Sequence, residues 1–459
     1  MSDGLKQAQE KMRAAGVADE AITVFSHYYG ELESGATGMI PEDSIDPVAE
    51  PTLIADVEIG EEEQRAAFAR TAIIKLNGGL GTSMGMDKAK SLLPVRDGQS
   101  FLDLIVTQVR AAREQWGVDL PLLFMNSFRT SEDTLAALSG YDGLEVGGLG
   151  LEFVQNQEPK LRADDLAPVE WPADPTLEWC PPGHGDLYTA LAASGVLERL
   201  LAAGYRYASV SNSDNLGAAP NPKIAAWFAA SGAPYAAELC RRTPADVKGG
   251  HLAIRKSDGR LILRETAQTP KEDMHYFTDE SRHPYFHTNN LWFDLEVLDA
   301  TLKERHAVLG LPLIKNEKTV DPADSSSPAV IQLESAMGAA VEVFEGATCL
   351  GVGRERFLPV KTTNDLLLLR SDVYEVGGDG RLTRVADPAP LIDLDPSFYK
   401  TIGKFEQRFP AGAPSLKRAK SLTVRGDWTF ERGVVVEGAG ELPDQGSPEV
   451  VATGALISG

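Results

Sequence analysis

The chain has 459 residues, 43% of them hydrophobic and 24% charged, with a formal net charge of −23. This is the make-up of a globular protein long enough for two or three domains. The acidic field excludes non-specific binding to nucleic acid or anionic membranes, so a phosphorylated ligand needs a local basic site. Three widely spaced cysteines, Cys180, Cys240 and Cys349, form no metal or disulfide pattern and point to the reducing cytoplasm. Residues 1–30 lack the basic start and apolar core of a secretory signal, and no apolar run reaches membrane-spanning length.

In chain order, Leu5, Ala8 and Met12 predict one amphipathic helix, and Ile22, Phe25, Tyr28 and Tyr29 a second. Residues 40–45 read as a linker or as a strap over the next domain. A short helix over 61–70 leads into a buried strand at 71–74. Then comes Lys75-Leu76-Asn77-Gly78-Gly79-Leu80-Gly81-Thr82-Ser83-Met84-Gly85, with Lys88, Lys90 and Ser91 beyond it. Phe101, Ile105, Val109, Ala112 and Trp116 fall on one helix face. A strand, a glycine turn, a basic segment and a helix can cradle phosphate: glycine lets backbone N–H groups approach, and lysines add cationic donors. The ligand this predicts is a nucleotide. The spacing matches neither G-x-x-x-x-G-K-[ST] nor G-x-G-x-x-G, because Gly79, Gly81 and Gly85 carry one residue too many. A plain tight turn is the competing reading.

Strands are predicted at 122–125 and 205–210, ending in Asn126-Ser127 and Ser211-Asn212-Ser213-Asp214-Asn215. In α/β sheets such carboxyl ends are where ligands sit. Gln155 follows a short strand, and an amide there can pair with the edge of a base. Pro181-Pro182-Gly183-His184-Gly185-Asp186 opens a helix expected to run over 186–203, whose N-terminus suits an anion or simply a cap. Asp214 suits Mg²⁺ or turn chemistry. Residues 251–255 and 261–265 read as a hairpin. Asn289 and Asn290 in Thr288-Asn289-Asn290-Leu291-Trp292 offer amides for sugar hydroxyls, with Lys248, Gly249, Gly250 and Glu265 able to line the same pocket. A helix is expected over 331–344. Lys361 precedes another at 366–369, capped by Thr363 or Asn364, in a place suited to a phosphate clamp.

The tail has its own period. Leu416, Leu422, Trp428 and Val434 recur every six residues, as do Val424, Phe430, Val436 and Leu442; Val450 and Leu456 repeat the step once. Hexads predict stacked β-helix coils, with a small antiparallel appendage as the alternative. The division expected is an N-terminal helical segment (1–50), a catalytic α/β domain (51–395) and a C-terminal β-helix (396–459).

Seven ordered blocks, at 75–85, 181–188, 211–217, 247–250, 288–292, 331–339 and 356–366, resemble the UTP–glucose-1-phosphate uridylyltransferase family, the UDP-glucose pyrophosphorylases of eukaryotic type. Leu76-Asn77-Gly78-Gly79-Leu80-Gly81-Thr82 with Lys90 is similar to the sugar-nucleotide pyrophosphorylase signature. The resemblance implies an α/β fold, a Rossmann-like nucleotidyltransferase mixed sheet with a C-terminal left-handed β-helix. It implies formation of UDP-glucose and pyrophosphate from UTP and glucose 1-phosphate, with Mg²⁺ as cofactor. The cysteines set the expectation of a cytoplasmic protein, and the exposed end of a short stacking module that of self-association through the C-terminal domain or of packing on the chain's own catalytic domain. It assigns Leu76, Asn77, Gly78 and Gly79 to the UTP cradle, Gln155 and Gly183 to uracil, and Asn212 and Asp214 to the nucleotide, with Asp214 on the metal. His184, Gly250, Glu265, Asn289 and Asn290 fall on the sugar-phosphate side; Lys90 and Lys361 are the catalytic cations and also contact the nucleotide. Met86-Asp87-Lys88-Ala89 departs from the family's Cys-Lys-Gly-Pro-like segment, and Thr82-Ser83 lacks the Thr-Arg pair of bacterial sugar-nucleotide enzymes, which shifts cation supply onto Lys90 and Lys361. The rival readings are a UDP-N-acetylhexosamine or broad-range UDP-sugar pyrophosphorylase, and a catalytically silent UDP-sugar sensor.

Overall fold

A computed structural model describes every residue except 1, 36–37, 49, 244–245 and 247–248. Lys248 and the first half of the 247–250 block therefore lie outside the described residues. An eight-stranded sheet organises the chain, in the spatial order Thr52–Leu53, Thr348–Val352, Tyr235–Arg241, Tyr285–Asp294, Tyr207–Asn212, Thr71–Asn77, Leu122–Asn126 and Glu152–Val154. Tyr285–Asp294 runs antiparallel to both neighbours, while the other ladders are parallel. It is thus a mixed α/β sheet. Asn77, Asn126, Val154 and Asn212 end at one edge, and the polar clusters begin there.

Every residue of Thr71–Asn77 is buried. Ile73 faces a core that includes the helix Phe101–Trp116, and Ala72, Ile74 and Leu76 face the opposite core. This is the two-sided burial of a central strand. The Phe101–Trp116 helix starts where expected. Ser100 Oγ accepts from Asp103 N (3.2 Å), Asp103 accepts from Ser100 N (2.7 Å), and Gly117 ends the helix at φ 59°. Such a cap contributes about 1 kcal/mol.

The two N-terminal helices form as expected, Asp3–Ala14 and Asp19–Glu33, burying Leu5, Ala8, Met12, Ile22, Phe25, Tyr28 and Tyr29. Residues 40–47 are a strap: Ile45–Pro47 pairs antiparallel with His251–Arg255, which pairs with Leu261–Arg264.

Three expectations are corrected. The single helix over 186–203 is two, Leu187–Ala193 and Val196–Ala202, broken where Gly195 takes φ 70°. The stretch 331–344 is a strand, Ala329–Glu334, followed by the 3-10 helix Met337–Glu342. Its alternating Ile331 and Leu333 bury in a strand register, and Ser335 is held by Pro182 and Gly185. The helix Thr363–Arg370 is capped by Thr362, whose Oγ1 and backbone N both engage Asp365 Oδ2. Thr363 is instead buried, and Asn364 accepts from Leu394 N.

In the tail, Leu391–Leu394, Ser415–Val424, Val435–Leu442 and Leu456–Ser458 form one parallel sheet, and Trp428–Phe430 pairs in parallel with Glu449–Val451. Val424 stands beside Leu442 and Leu422 beside Gly440, three hexads on. Leu416, Leu422, Val424, Phe430, Val434 and Val436 are buried, and they join the core that contains Phe101 and Leu366. The last repeat slips by one: Val450 and Leu456 are exposed, and Val451 and Ile457 point inward.

Candidate active site

The site is built at the strand ends. Beyond Asn77, Gly81 and Gly85 both take left-handed backbone (φ 67° and 70°) around a 3-10 turn at Thr82–Met84. A side chain on Gly78 would fall 2.9 Å from Gln155 Oε1, and one on Gly81 3.0 Å from Met86 Sδ. Ser127 Oγ donates to Gly78 O (3.0 Å), and Lys90 N to Gly79 O (3.1 Å). The loop is therefore pinned from both flanks, while Gly79, Thr82 and Ser83 are exposed.

Lys90 crosses to Asp214, donating from Nζ to Oδ2 at 2.6 Å, and also donates to the carbonyl of Val360. Val360 N in turn donates to Asp214 O at 3.3 Å. Three segments remote in sequence thus meet, and Lys361, exposed, is the next residue along. Charges of both signs within reach of a glycine loop can exchange partners with phosphate oxygens and a metal ion.

Gln155 is buried and donates from Nε2 to Gly183 O at 2.6 Å. Gly183 takes φ 76°, and a Cβ there would lie 2.7 Å from Ser335 O. Gly185 N donates to that same carbonyl at 2.8 Å. Next to them, His184 Nδ1 accepts from Met337 N (3.0 Å), and burial pushes its imidazole down to about 4. The ring is neutral at physiological pH with its proton on Nε2, so it acts as a hydrogen-bond donor. Burial also pushes the Asp186 carboxyl up to about 7, against hydrogen bonds from Asn156 N and Nδ2 (2.6 and 2.8 Å).

Opposite, the long strand bulges. Leu291 faces Ala237 and His287 faces Leu239, so Thr288, Asn289 and Asn290 stand against Glu238 alone. Asn289 adopts φ 60° there and contacts His287 Nδ1 at 3.1 Å. Left-handed backbone in a non-glycine residue concentrates at functional sites. Gly250 O accepts from His287 N (2.8 Å), and a Cβ on Gly250 would meet the Glu265 carboxylate. Burial raises the Glu265 carboxyl, opposed by the charge of Lys361. Glu265 and Lys361 therefore share one side of the cleft.

Two expected ligand residues turn inward. Asn77 donates to Asn126 Oδ1 (2.7 Å) and Thr134 Oγ1 (2.9 Å), and accepts from Ser213 Oγ (3.0 Å). Asn290 Nδ2 donates to Glu238 Oε2 (3.0 Å) and Arg356 O (3.2 Å), and its Oδ1 accepts from Asn215 Nδ2. Their side chains tie strand ends together. Leu76 likewise packs into the core, whereas Asn212 is partly exposed.

Beneath the site lies a layer the sequence reading assigned no role. Glu238, 1% exposed, accepts from Arg356 Nε (3.0 Å) and Nη2 (2.6 Å) and from Trp292 Nε1 (2.9 Å). Lys75, also buried, donates to Ser211 Oγ (2.7 Å) and Ala218 O (2.8 Å); burial and then Arg356 push its ammonium down to about 7. The uninterrupted apolar setting of Lys75 within a central strand was the available signal.

A glycine loop, a lysine–aspartate pair and amides gathered at the carboxyl end of a mixed α/β sheet define a nucleotidyltransferase. A family profile described as UTP–glucose-1-phosphate uridylyltransferase matches residues 22–437. The enzyme of that name from Hordeum vulgare is 37% identical, over 95% of this chain and 91% of its own. The one from Saccharomyces cerevisiae is 38% identical, over 92% and 83%. Among solved structures, UDP-glucose pyrophosphorylase from Leishmania major superposes with a TM-score of 0.93 at 41% identity, covering 100% of this chain and 98% of its own. The chain belongs to the UTP–glucose-1-phosphate uridylyltransferase family.

Proposed function

We propose that this protein joins UTP and α-D-glucose 1-phosphate into UDP-glucose and pyrophosphate, reversibly. A phosphate oxygen of the sugar phosphate attacks the α-phosphorus of UTP in line. A new P–O bond forms as the bond to the departing pyrophosphate breaks. The nucleophile is already an anion, so the task is positioning two polyanions and neutralising their charge. The meeting of Lys90, Asp214 and Val360 beside the glycine loop carries this reading. Backbone N–H groups of Gly78 and Gly79 receive phosphate, with Leu76 and Asn77 holding the loop's entry. Gln155 and Gly183 face the base, and Asn212 the nucleotide. His184, Asn289, Gly250 and Glu265 face the sugar phosphate, with Asn290 behind Asn289. Lys90 and Lys361 meet the developing pyrophosphate charge. A single-substitution variant of the Leishmania major protein has been solved in complex with UDP-glucose.

Mg²⁺ fits the donor set, because it binds through one or two carboxylates plus phosphate oxygens and water. Asp214 is the carboxylate that would hold it, and the ion would supply charge neutralisation between phosphates. Asp214→Asn raises the Mg²⁺ concentration needed for half-maximal rate; an unchanged titration returns Asp214 to a turn role. The reading extends to a cytoplasmic setting, supported by cysteines without a disulfide pattern. It extends to the 1–50, 51–395 and 396–459 division, and to a left-handed β-helix in the last part, supported by its hexads and parallel ladders. Self-association through that part is supported by exposed Leu456 on its terminal strand. Measuring UDP-sugar and pyrophosphate release from UTP with glucose, galactose and N-acetylglucosamine 1-phosphates tests the whole reading. Glucose 1-phosphate should be the preferred substrate. Equal use of the three would favour a broad-range enzyme, and no release would favour a sensor.

A further inference from the structure

The strap at residues 40–47 has no role in the reaction described so far, yet it carries a carboxylate that is 4% exposed. Glu42 accepts from Arg264, which is 0% exposed, from Arg282, and stands 3.1 Å from His283 Nε2. Its own N–H donates to Asp273 Oδ2 (2.8 Å), which lies 3.5 Å from Arg264 Nη2. Ile40 N donates to Gln268 O at 2.7 Å, so the strap is fastened on both sides of Glu42. Two imidazoles and a further guanidinium crowd in beside the Glu42–Arg264 pair. His283 stacks on His251 at 3.9 Å, and His251 Nδ1 lies 3.3 Å from Arg242 Nη2, which also donates to Gly249 O at 2.6 Å.

Arg264 is the last residue of its strand, and Glu265 follows it. Glu265 lies against Gly250, whose carbonyl accepts from His287, the residue that contacts Asn289. A continuous set of contacts thus runs from the strap to the sugar-phosphate side of the cleft. We infer that Glu42 is a positioning residue for that side: by holding Arg264 it sets where Glu265 and Gly250 stand. The alternative is that Glu42 only balances buried charge. Both predict some loss of stability, because removing one member of a buried ion pair leaves the other uncompensated. Only positioning predicts a loss confined to one substrate.

The inference rests on the assignment of Glu265 and Gly250 to glucose 1-phosphate, so the experiment includes a variant of that site. KM is measured for each substrate with the other saturating, in wild type, Glu42→Gln, Glu42→Asp and Glu265→Gln. KM does not depend on the folded fraction, so partial unfolding does not distort it. Glu42→Gln should raise KM for glucose 1-phosphate about 10-fold, since ångström-scale misplacement of binding groups costs factors of that order and more. KM for UTP should stay within about twofold of wild type, because the contacts traced from the strap end on Gly250, His287 and Asn289, and Lys361 meets this set only through its charge near Glu265. Glu42→Asp keeps the charge and the fold but withdraws the carboxylate from Arg264, and should give a smaller shift of the same kind. If Glu265→Gln moves KM for glucose 1-phosphate and neither Glu42 variant does, the positioning role is overturned and the site assignment stands. If Glu265→Gln leaves it unmoved, the assignment falls and the inference with it. An equal rise in both KM values reduces Glu42 to charge balance.

Discussion

Glu238→Leu should be among the most damaging single substitutions outside the cleft. The carboxylate is 1% exposed and accepts four hydrogen bonds, two from Arg356, one from Trp292 and one from Asn290. Leucine fills similar space but removes the acceptor of Arg356 Nε and Nη2, of the Trp292 indole N–H and of one Asn290 amide hydrogen, while Arg356 Nη1 keeps Ala219 O and Asn290 Nδ2 keeps Arg356 O. Breaking a buried ion pair by removing one partner costs about 3–5 kcal/mol. At about 2 °C per kcal/mol for a chain of this size, the melting temperature should fall by about 6–10 °C. Glu238→Gln keeps one acceptor oxygen and should fall between. Thermal melts followed by tryptophan fluorescence read this directly. Their pH dependence has a definite sign. Burial pushes the Glu238 carboxyl up, but Arg356, Trp292 and Asn290 outweigh it and hold the group below its ordinary value. A depressed carboxyl stabilises the fold above the ordinary carboxylate range and loses that contribution as pH falls through its folded-state value. The gap between wild type and Glu238→Leu should therefore narrow in strong acid. A melting temperature within about 2 °C of wild type at neutral pH would mean that Arg356 finds other partners, and the buried layer would not be what holds the strand ends.

Lys361→Ala should lower turnover on the order of 100- to 1,000-fold while leaving UTP binding nearly intact, as expected for a cation that meets charge developing in the transition state; near-normal turnover removes it from the mechanism. His184 binds its proton only near pH 4 in the folded chain, whereas an unfolded imidazole does so near 6.5, so its contribution to stability declines as pH falls from about 6.5 to about 4. His184→Gln should flatten the wild-type stability profile in that window, and urea midpoints at pH 7, 5.5 and 4.5 that shift in parallel would refute the assignment. Deleting residues 449–459 removes two strands and uncovers Val436, with Val451 and Ile457 lost from the core. At about 1.5–3 kcal/mol per buried aliphatic side chain the loss is roughly 3–6 kcal/mol. Rate per folded molecule should survive, and its disappearance would place the tail in the active site.

What the sequence disclosed was local. The glycine loop, the helix after it, the hairpin at residues 251–264 and the hexads in the tail are each written in a short window, and each stands where its pattern put it except the last hexad, where Val451 and Ile457 turn inward in place of Val450 and Leu456. Two helices were misplaced, one for a reason found elsewhere in the chain and one at a glycine of its own. Ser335 interrupts the 331–344 stretch because its backbone pairs with Pro182 and Gly185, and nothing inside the stretch announces those partners. Gly195 breaks the 186–203 helix, and glycine within a helical pattern is a signal of known weakness.

The harder problem was direction. Asn77, Asn212, Asn215 and Asn290 are the same residue type at the same edge of one sheet, yet Asn212 is partly exposed while the others are buried among neighbouring strands. A polar side chain at a strand end can face the cleft or the layer beneath it, and composition does not distinguish the two. The order of strands does. Asn77 meets Asn126 because Leu122–Asn126 lies beside its strand, and Asn290 meets Glu238 because Tyr235–Arg241 lies beside its own. Glu238 and Arg356 are separated by 118 residues, so their pairing exists only once the sheet has assembled. The exposed groups of the cleft are therefore the fraction of a larger polar set left over after the sheet has satisfied itself. A residue such as Asn77 can be required for activity without touching substrate, and its variants should lose stability and turnover together, whereas those of Lys361 should lose turnover alone.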